Sequence, residues 1–375
     1  MRHRSNRSMI GGEMELDLRK ALAAKVARVS WPFRSCATVL SGRTGIRLAL
    51  QKIGVRAGQR ALLPSYLCPS VLQPFAEESL RVCFYRIGAD LAIDTADLLQ
   101  LADRVKPAVA LFINYFGFPV GRAEAVSLAE VRRRCPVIED CVQGSLIEWA
   151  EPAVGRIGDY VVTSFRKYLP LPDGGLVVSR RGRLRSLPGG DSAFAQYRLL
   201  GKMLRQERVR GRVGTEVESM YLKLFEAAEA QLDAKTPMAD MSPVSREIFS
   251  RLSLARIATR RRRNFAALRS LFAADGRLRA IAEPLYSRLA SRVSPLFFPV
   301  RIRAGQRDAI RSRLAAAGIF APVHWDLPPA VAGARFEESV QLSKDILSLP
   351  VDQRYGVREM QELAAGLVKA SKPAA

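Results

Sequence analysis

Cysteine is scarce in this chain: five in 375 residues, an odd number, with no framework spacing and no C-x-x-C pair. That excludes a disulfide scaffold and a C-x-x-C metal or redox site, and it points to a reducing compartment. Histidine is scarcer still, with two, and no metal site is expected. No apolar run reaches membrane-spanning length. The stretch AVALFINYFGFPV (108–120) is too short and suits a buried strand followed by a turn. The N-terminus, MRHRSNRSMIGGEMELDLRK, is basic but has no apolar core, so no secretory signal is expected and the chain reads as soluble and cytoplasmic. Internal repeats and low-complexity segments are also lacking. Of the 59 basic residues only 11 are lysine, which leaves 48 arginines.

What is abundant is positive charge. The net charge is +23, with 36 acidic residues against the 59 basic ones. Such an excess can serve a nucleic-acid or anionic-membrane surface. Here the basic residues are scattered through every region with no aromatic platform among them, so nucleic acid is not the expected partner. The run Arg260–Arg263 lies in a helical segment and reads as a solvated face. Attraction of an anionic small molecule is the better use of the charge. At 48% hydrophobic, the chain can bury one large and one smaller core.

The pattern alternates strands and helices. CATVL (36–40), RALLP, RVCFYRI, AVALFIN and PVIED read as strands. SGRTGIRLALQKIG, PSVLQPFAEE, the segment capped by Asp94, and 123–134 read as helices. Alternation of this kind predicts a mostly parallel sheet covered by helices on both faces. Residues 1–35 read as an arm with one helix over about Glu13–Ala27. Residues 36–260 form a large unit and 261–375 a smaller α+β unit. Residues 181–235 are arginine-rich and helical, and 241–272 reads as one long helix.

The chemistry centres on DYVVTSFRKYLPLPDGGLVVS (159–179). Two β-branched runs flank SFRKYLPLPDGG, a stretch too rich in Pro and Gly for a helix. Lys167 sits in it beside Phe165, Tyr168 and Leu169, and such surroundings disfavour the ammonium form, as a Schiff-base amine requires. Upstream, Asp140 closes the short strand of PVIED at its carboxyl end, where open α/β sheets bind ligands. A carboxylate there can hold the ring nitrogen of pyridoxal phosphate protonated. Gln143 can reach the phenolic oxygen of that ring, and Val142 can pack flat against it. The Ser–Gly opening of the helix at 42 offers free N–H groups to a phosphate. Leu169, Pro170 and Leu171 form an apolar turn that is costly to leave in water, so they are expected at a subunit contact.

In these segments the chain resembles the DegT–StrS family of pyridoxal phosphate-dependent sugar aminotransferases. The matching pieces are SGRTGIRLAL (41–50), GQRALLPSYL (58–67), the ADLAIDTADLL region (89–99), NYFGFP (114–119), VIEDCVQGS (137–145), TSFRKYLPLPDGG (163–175), GIFAPVHW (318–325) and LSLPVD (347–352). The resemblance implies a type I PLP-dependent transferase fold, pyridoxal 5'-phosphate as cofactor and a homodimer. It also implies an amino donor such as glutamate and a keto-sugar acceptor, nucleotide-linked, in polysaccharide or secondary-metabolite biosynthesis. Lys167 and Asp140 take the catalytic roles, with Gly42, Arg43, Thr44, Cys68, Val142, Gln143 and Ser164 as cofactor-binding positions. Arg43 binds the phosphate or a substrate anion, or is a surface arginine. Cys68 stands where many members carry a ring-stacking aromatic, and Tyr66 is a substitute. His324 matches a residue near the mouth of the site, and with Tyr66 it is a candidate for the substrate. The partner-subunit Asn and Arg that often precede the Met–Ser pair are replaced here by residues before Met241–Ser242. Two other readings stand beside the aminotransferase: a sugar dehydratase, whose members carry His in place of Lys167, and a binding or regulatory protein with the same fold.

Overall fold

A computed structural model describes residues 9–26, 33, 35–144, 153–190, 192–303 and 305–372. In chain order the strands are β1 (Ile10–Gly11), β2 (Cys36–Val39), β3 (Arg60–Pro64), β4 (Arg81–Tyr85), β5 (Val109–Ile113) and β6 (Val137–Asp140). They continue as β7 (Tyr160–Val162), β8 (Gly175–Ser179), β9 (Ala282–Pro284), β10 (Phe297–Ile302), β11 (Ile319–Phe320) and β12 (Ile346–Pro350). Seven of them form the central sheet, in the order β2-β8-β7-β6-β5-β3-β4. Every pairing is parallel except those of β8, which runs antiparallel to both β2 and β7. β5 through β8 are buried along their whole length, as strands covered on both faces must be. This is the mixed α/β architecture that the alternating pattern predicts.

The helix Gly42–Ile53 lies on the sheet with Ile46, Ala49 and Leu50 buried. Ser41 caps it by accepting from the Thr44 amide, and Gly54 closes it in the left-handed conformation, which costs glycine nothing. A second, antiparallel sheet, β12-β10-β9, carries the C-terminal part, where the helix Val357–Ser371 packs against the helices Leu254–Ala274 and Arg307–Ala316. One hydrophobic cluster runs from Ile10 through both sheets to Ala370.

Four expectations are corrected. Residues 165–168 form a one-turn helix inside the stretch expected to be loop throughout. The flanking prolines come only after it, and Ser164 provides an extended entry. The helix expected over 241–272 is two, Pro243–Phe249 and Leu254–Ala274, because Pro243 favours a fresh start after the Ser242 cap and the chain breaks at 250–253. Among the described residues near the N-terminus only Leu18–Ala23 is helical, while Ile10–Gly11 pairs with β11 and Ile10, Met14 and Leu16 are buried. Residues 1–8, 27–32 and 34 of that expected arm lie outside the described residues. Within the run at 260–263, Arg261 is buried rather than solvated. It lies over the Tyr168 ring and donates to the carbonyls of Tyr168, Pro295 and Leu296.

The apolar turn expected at a subunit contact is also covered within the chain. Leu169 and Leu171 are buried among Leu16, Val161, Met241, Ile248 and Phe249. Asp173 fixes the same turn by accepting from the Ser242 amide at 2.7 Å and the Ser242 hydroxyl at 2.5 Å. Gly174, with φ +113°, makes the sharp exit back into the sheet. Among the described residues no helix is long and apolar enough to cross a membrane, all five cysteines are free, and no group of three or more His, Cys, Asp or Glu is disposed to hold a metal ion.

Candidate active site

The carboxyl ends of β5 and β6 and the N-terminus of the helix Gly42–Ile53 open on one cavity. Its wall includes Gly42, Arg43, Cys68, Asp140, Val142, Gln143, Ser164, Lys167 and Trp325. Alternation along β6 sends neighbouring carboxylates to opposite faces. Glu139 turns away and accepts from Asn114 and from the amides of Gly155, Ile157 and Gly158, pinning that loop. Asp140 turns to the cavity. It is 4% exposed and accepts from the Val142 amide at 2.8 Å. Burial pushes its carboxyl up to about 6, against the opposing pull of that hydrogen bond and of the Lys167 charge.

Gln143 is oriented by strain in the neighbouring loop. Phe116 adopts φ 55°, ψ 13°, a conformation sparsely used by bulky residues. Its amide donates to Gln143 Oε1 at 3.0 Å. The oxygen must therefore face Phe116, which leaves the amide nitrogen as the other end of the group. Among the described residues, that Nε2 is buried without a hydrogen-bond partner, and so is Ser164 Oγ. A Cβ on Gly42 would meet Val142 Cγ2 at 2.8 Å and Ser164 Cβ at 3.7 Å. Only glycine lets the helix N-terminus come this close to both. Buried orphan donors cost about 1–3 kcal/mol each, and they are directed here at a slot that wants an acceptor at one end and an anion at the other. Pyridoxal 5'-phosphate fits that donor set.

Lys167 is half-buried on the one-turn helix and lines a second cavity of about 520 Å³ on its other side. Its wall includes Gly12, Met14, Phe297, His324, the four arginines Arg166, Arg261, Arg311 and Arg354, and the two acidic residues Glu13 and Asp352. His324 shares a 2.7 Å hydrogen bond with Ser348 Oγ and sits among the rings of Phe116, Phe297 and Trp325. Burial first, and the Lys167 charge second, hold its imidazole down to about 3, so it is neutral at physiological pH.

Other candidates are placed differently. Thr44 is buried outside the cavity wall, and its hydroxyl donates to the Pro237 carbonyl at 2.9 Å. Tyr66 is wholly buried, absent from the wall of either cavity, with its hydroxyl donating to the His324 carbonyl. Arg43 faces the cavity but pairs with Asp233 at 2.5 Å and Glu229 at 3.4 Å. Asp240, just before Met241–Ser242, accepts from Thr38 and pairs with Arg246 of its own chain. Sequence reasoning missed Arg166, Leu232 and Trp325 as cavity residues, and Glu229, which binds Arg43, Arg166 and Arg198 together. The one sequence signal near Trp325 is its neighbour His324. Nothing in the sequence distinguishes Glu229 from the other acidic residues of its helix.

The model of the DegT/DnrJ/EryC1/StrS aminotransferase family matches residues 5–368. The chain belongs to this family. Its members are pyridoxal phosphate-dependent aminotransferases, and this chain is one of them. Solved structures share the fold. PseC of Helicobacter pylori, an aminotransferase involved in the biosynthesis of pseudoaminic acid, is 14% identical with TM-score 0.68, covering 97% of this chain and 99% of its own. The aminotransferase TlmJ of Streptoalloteichus hindustanus is 18% identical with TM-score 0.63, covering 97% and 92%. A Streptococcus pneumoniae protein solved in its PLP form is 14% identical with TM-score 0.66, covering 97% and 98%, and it is also known in a PMP form.

Proposed function

We propose that this aminotransferase carries its cofactor on Lys167 and aminates an anionic keto-sugar, nucleotide-linked, with glutamate as donor. The enzyme acts as a cytoplasmic homodimer in polysaccharide or secondary-metabolite biosynthesis, with residues 36–260 as the cofactor-binding unit and 261–375 as the smaller one. The single observation that carries the reading is the pair of cavities meeting at Lys167. One holds Asp140 and the orphaned Gln143 and Ser164 groups, and the other is rich in arginine. Arg311, exposed at the edge of the second cavity, is the cation best able to meet an incoming anion.

When bound, pyridoxal phosphate supplies the aldehyde that takes up the amino group and the ring that accepts electrons released at the donor's Cα. Lys167 would hold the cofactor through Nζ, the aldehyde oxygen leaving as water, and its free amine would take and return the proton at the donor's Cα. Asp140 holds the proton on the ring nitrogen. Gln143 Nε2 donates to the ring's phenolic oxygen, and Val142 keeps water from one ring face. Ser164 and the first-turn amides at Gly42 and Arg43 bind the phosphate.

The test is direct. The purified protein should show a visible absorption band that borohydride removes, and peptide mapping after reduction should find the cofactor on Lys167. Lys167→Ala should lose both the band and transamination while folding normally. A label on any other lysine overturns the assignment.

A further inference from the structure

We infer that Trp325, reaching in from the segment between β11 and β12, is the aromatic residue that lies against the cofactor ring. The inference rests on the cofactor site proposed above and adds to it the ring-facing residue that Cys68 cannot supply. Three observations converge. Among the described residues of the cavity wall, Trp325 is the sole aromatic, and it shares that wall with Val142, Asp140 and Gln143. Cys68 also lines the wall, but its small side chain turns to Ser70 Oγ at 3.0 Å, and a thiol offers no flat surface. Tyr66, the other aromatic within reach along the chain, is held outside by its buried hydroxyl.

Tyr66 instead acts from behind. Its ring packs on Trp325 with centroids 5.5 Å apart, and Tyr115 packs on it at 6.3 Å, within the range of favourable aromatic pairs. The indole is thereby braced on one side by two buried tyrosines while remaining half-exposed itself. The small residue at 68 leaves room that an indole from a distant part of the chain occupies. A bulky aromatic at both positions would compete for the same wall. Tyr66 and Tyr115 are positioning residues for Trp325.

The experiment measures dissociation constants on cofactor-stripped protein. Pyridoxal 5'-phosphate should bind Trp325→Leu about tenfold more weakly than wild type, and Trp325→Phe within about threefold, the scale of one aromatic contact. Inorganic phosphate, measured by competition, should bind all three proteins alike. Leucine fills the volume against Tyr66 and Tyr115, so the packing survives while the ring is lost, and thermal melting of the stripped variants checks that. Unchanged affinity in Trp325→Leu overturns the inference, and so does an equal loss for phosphate, which would mean a general distortion. If wild type takes up cofactor on Lys167 but Trp325→Leu is normal, the inference alone fails. If wild type forms no reducible band, the site reading fails and takes the inference with it.

Discussion

At the scale of single residues, Asp140 carries a cost that the sequence does not display. Its carboxyl is raised to about 6 by burial, whereas in an unfolded chain it titrates near about 3.9. Below pH of about 4 both states are protonated and burial carries no ionic penalty. As pH rises through about 6 the folded protein must ionise a buried carboxyl, and it loses about 2–3 kcal/mol relative to the unfolded chain, which released its proton earlier. Cofactor-free Asp140→Asn should therefore be more stable than wild type by about that amount at pH 8 and equal to it at pH 4. Urea titrations at the two pH values check this, and equal stability at pH 8 would mean that the carboxylate has a partner. In the loaded enzyme the same substitution should slow proton transfer by about 10²–10³, the usual scale for losing one electrostatic contact at a reacting centre. Single-turnover conversion of cofactor by glutamate measures it. The placement of Asp140 at the cavity was legible because a strand end in an α/β sheet is where ligands bind. The orphaned end of Gln143 was not, since it depends on the left-handed conformation of Phe116.

At the scale of elements, the helix Gly42–Ile53 shows how tightly the site is built onto the sheet. A Cβ on Gly45 would meet Val162 Cγ1 at 2.6 Å and Val177 Cγ2 at 3.1 Å. Both are β-branched residues on buried strands, so neither can swing aside. Alanine would gain about 1 kcal/mol in helix propensity, but overpacking of this kind costs about 1–3 kcal/mol. Gly45→Ala should destabilise the protein by up to about 2 kcal/mol and weaken pyridoxal phosphate binding, because the helix N-terminus is pushed away from Ser164. Equilibrium unfolding and a cofactor titration test both effects, and a stabilised variant would show that the helix has slack. This helix, with its Ser41 cap and Gly54 stop, was readable in outline from caps and periodicity. The hairpin of Ala193–Val209 and Glu216–Ala234 was readable as helical but not as a wall of the site. Its link runs through Glu229 to Arg43 and Arg166, a contact between segments far apart in sequence. The buried state of Leu169 and Leu171 was hidden for the same reason: their cover comes from Leu16 and from residues 241–249.

At the scale of the whole molecule, alternation of strands and helices sufficed for the sheet, and collinear motifs sufficed for the family. What they could not supply was which part of the C-terminal region reaches the cavity, as Trp325 does, because no local pattern encodes that reach. The net charge of +23 acts at this scale too. Many of its arginines are locally paired, as Arg43, Arg166, Arg198 and Arg354 are, so the excess is felt as a field rather than as a patch. A field of that sign draws anions toward the molecule, and it is screened over about 30 Å at 0.01 M salt but only about 10 Å at 0.1 M. Pyridoxal 5'-phosphate is an anion, and unphosphorylated pyridoxal shares its ring without that charge. The association rate of pyridoxal 5'-phosphate with stripped protein should fall several-fold to about tenfold between 0.01 M and 0.3 M salt, the range over which steering is lost. The rate for pyridoxal should stay within about twofold. Stopped-flow absorbance at matched concentrations reads both. Equal salt dependence for the two ligands would trace the effect to the site itself, and a flat profile for both would show that the arginine excess plays no part in bringing the cofactor in.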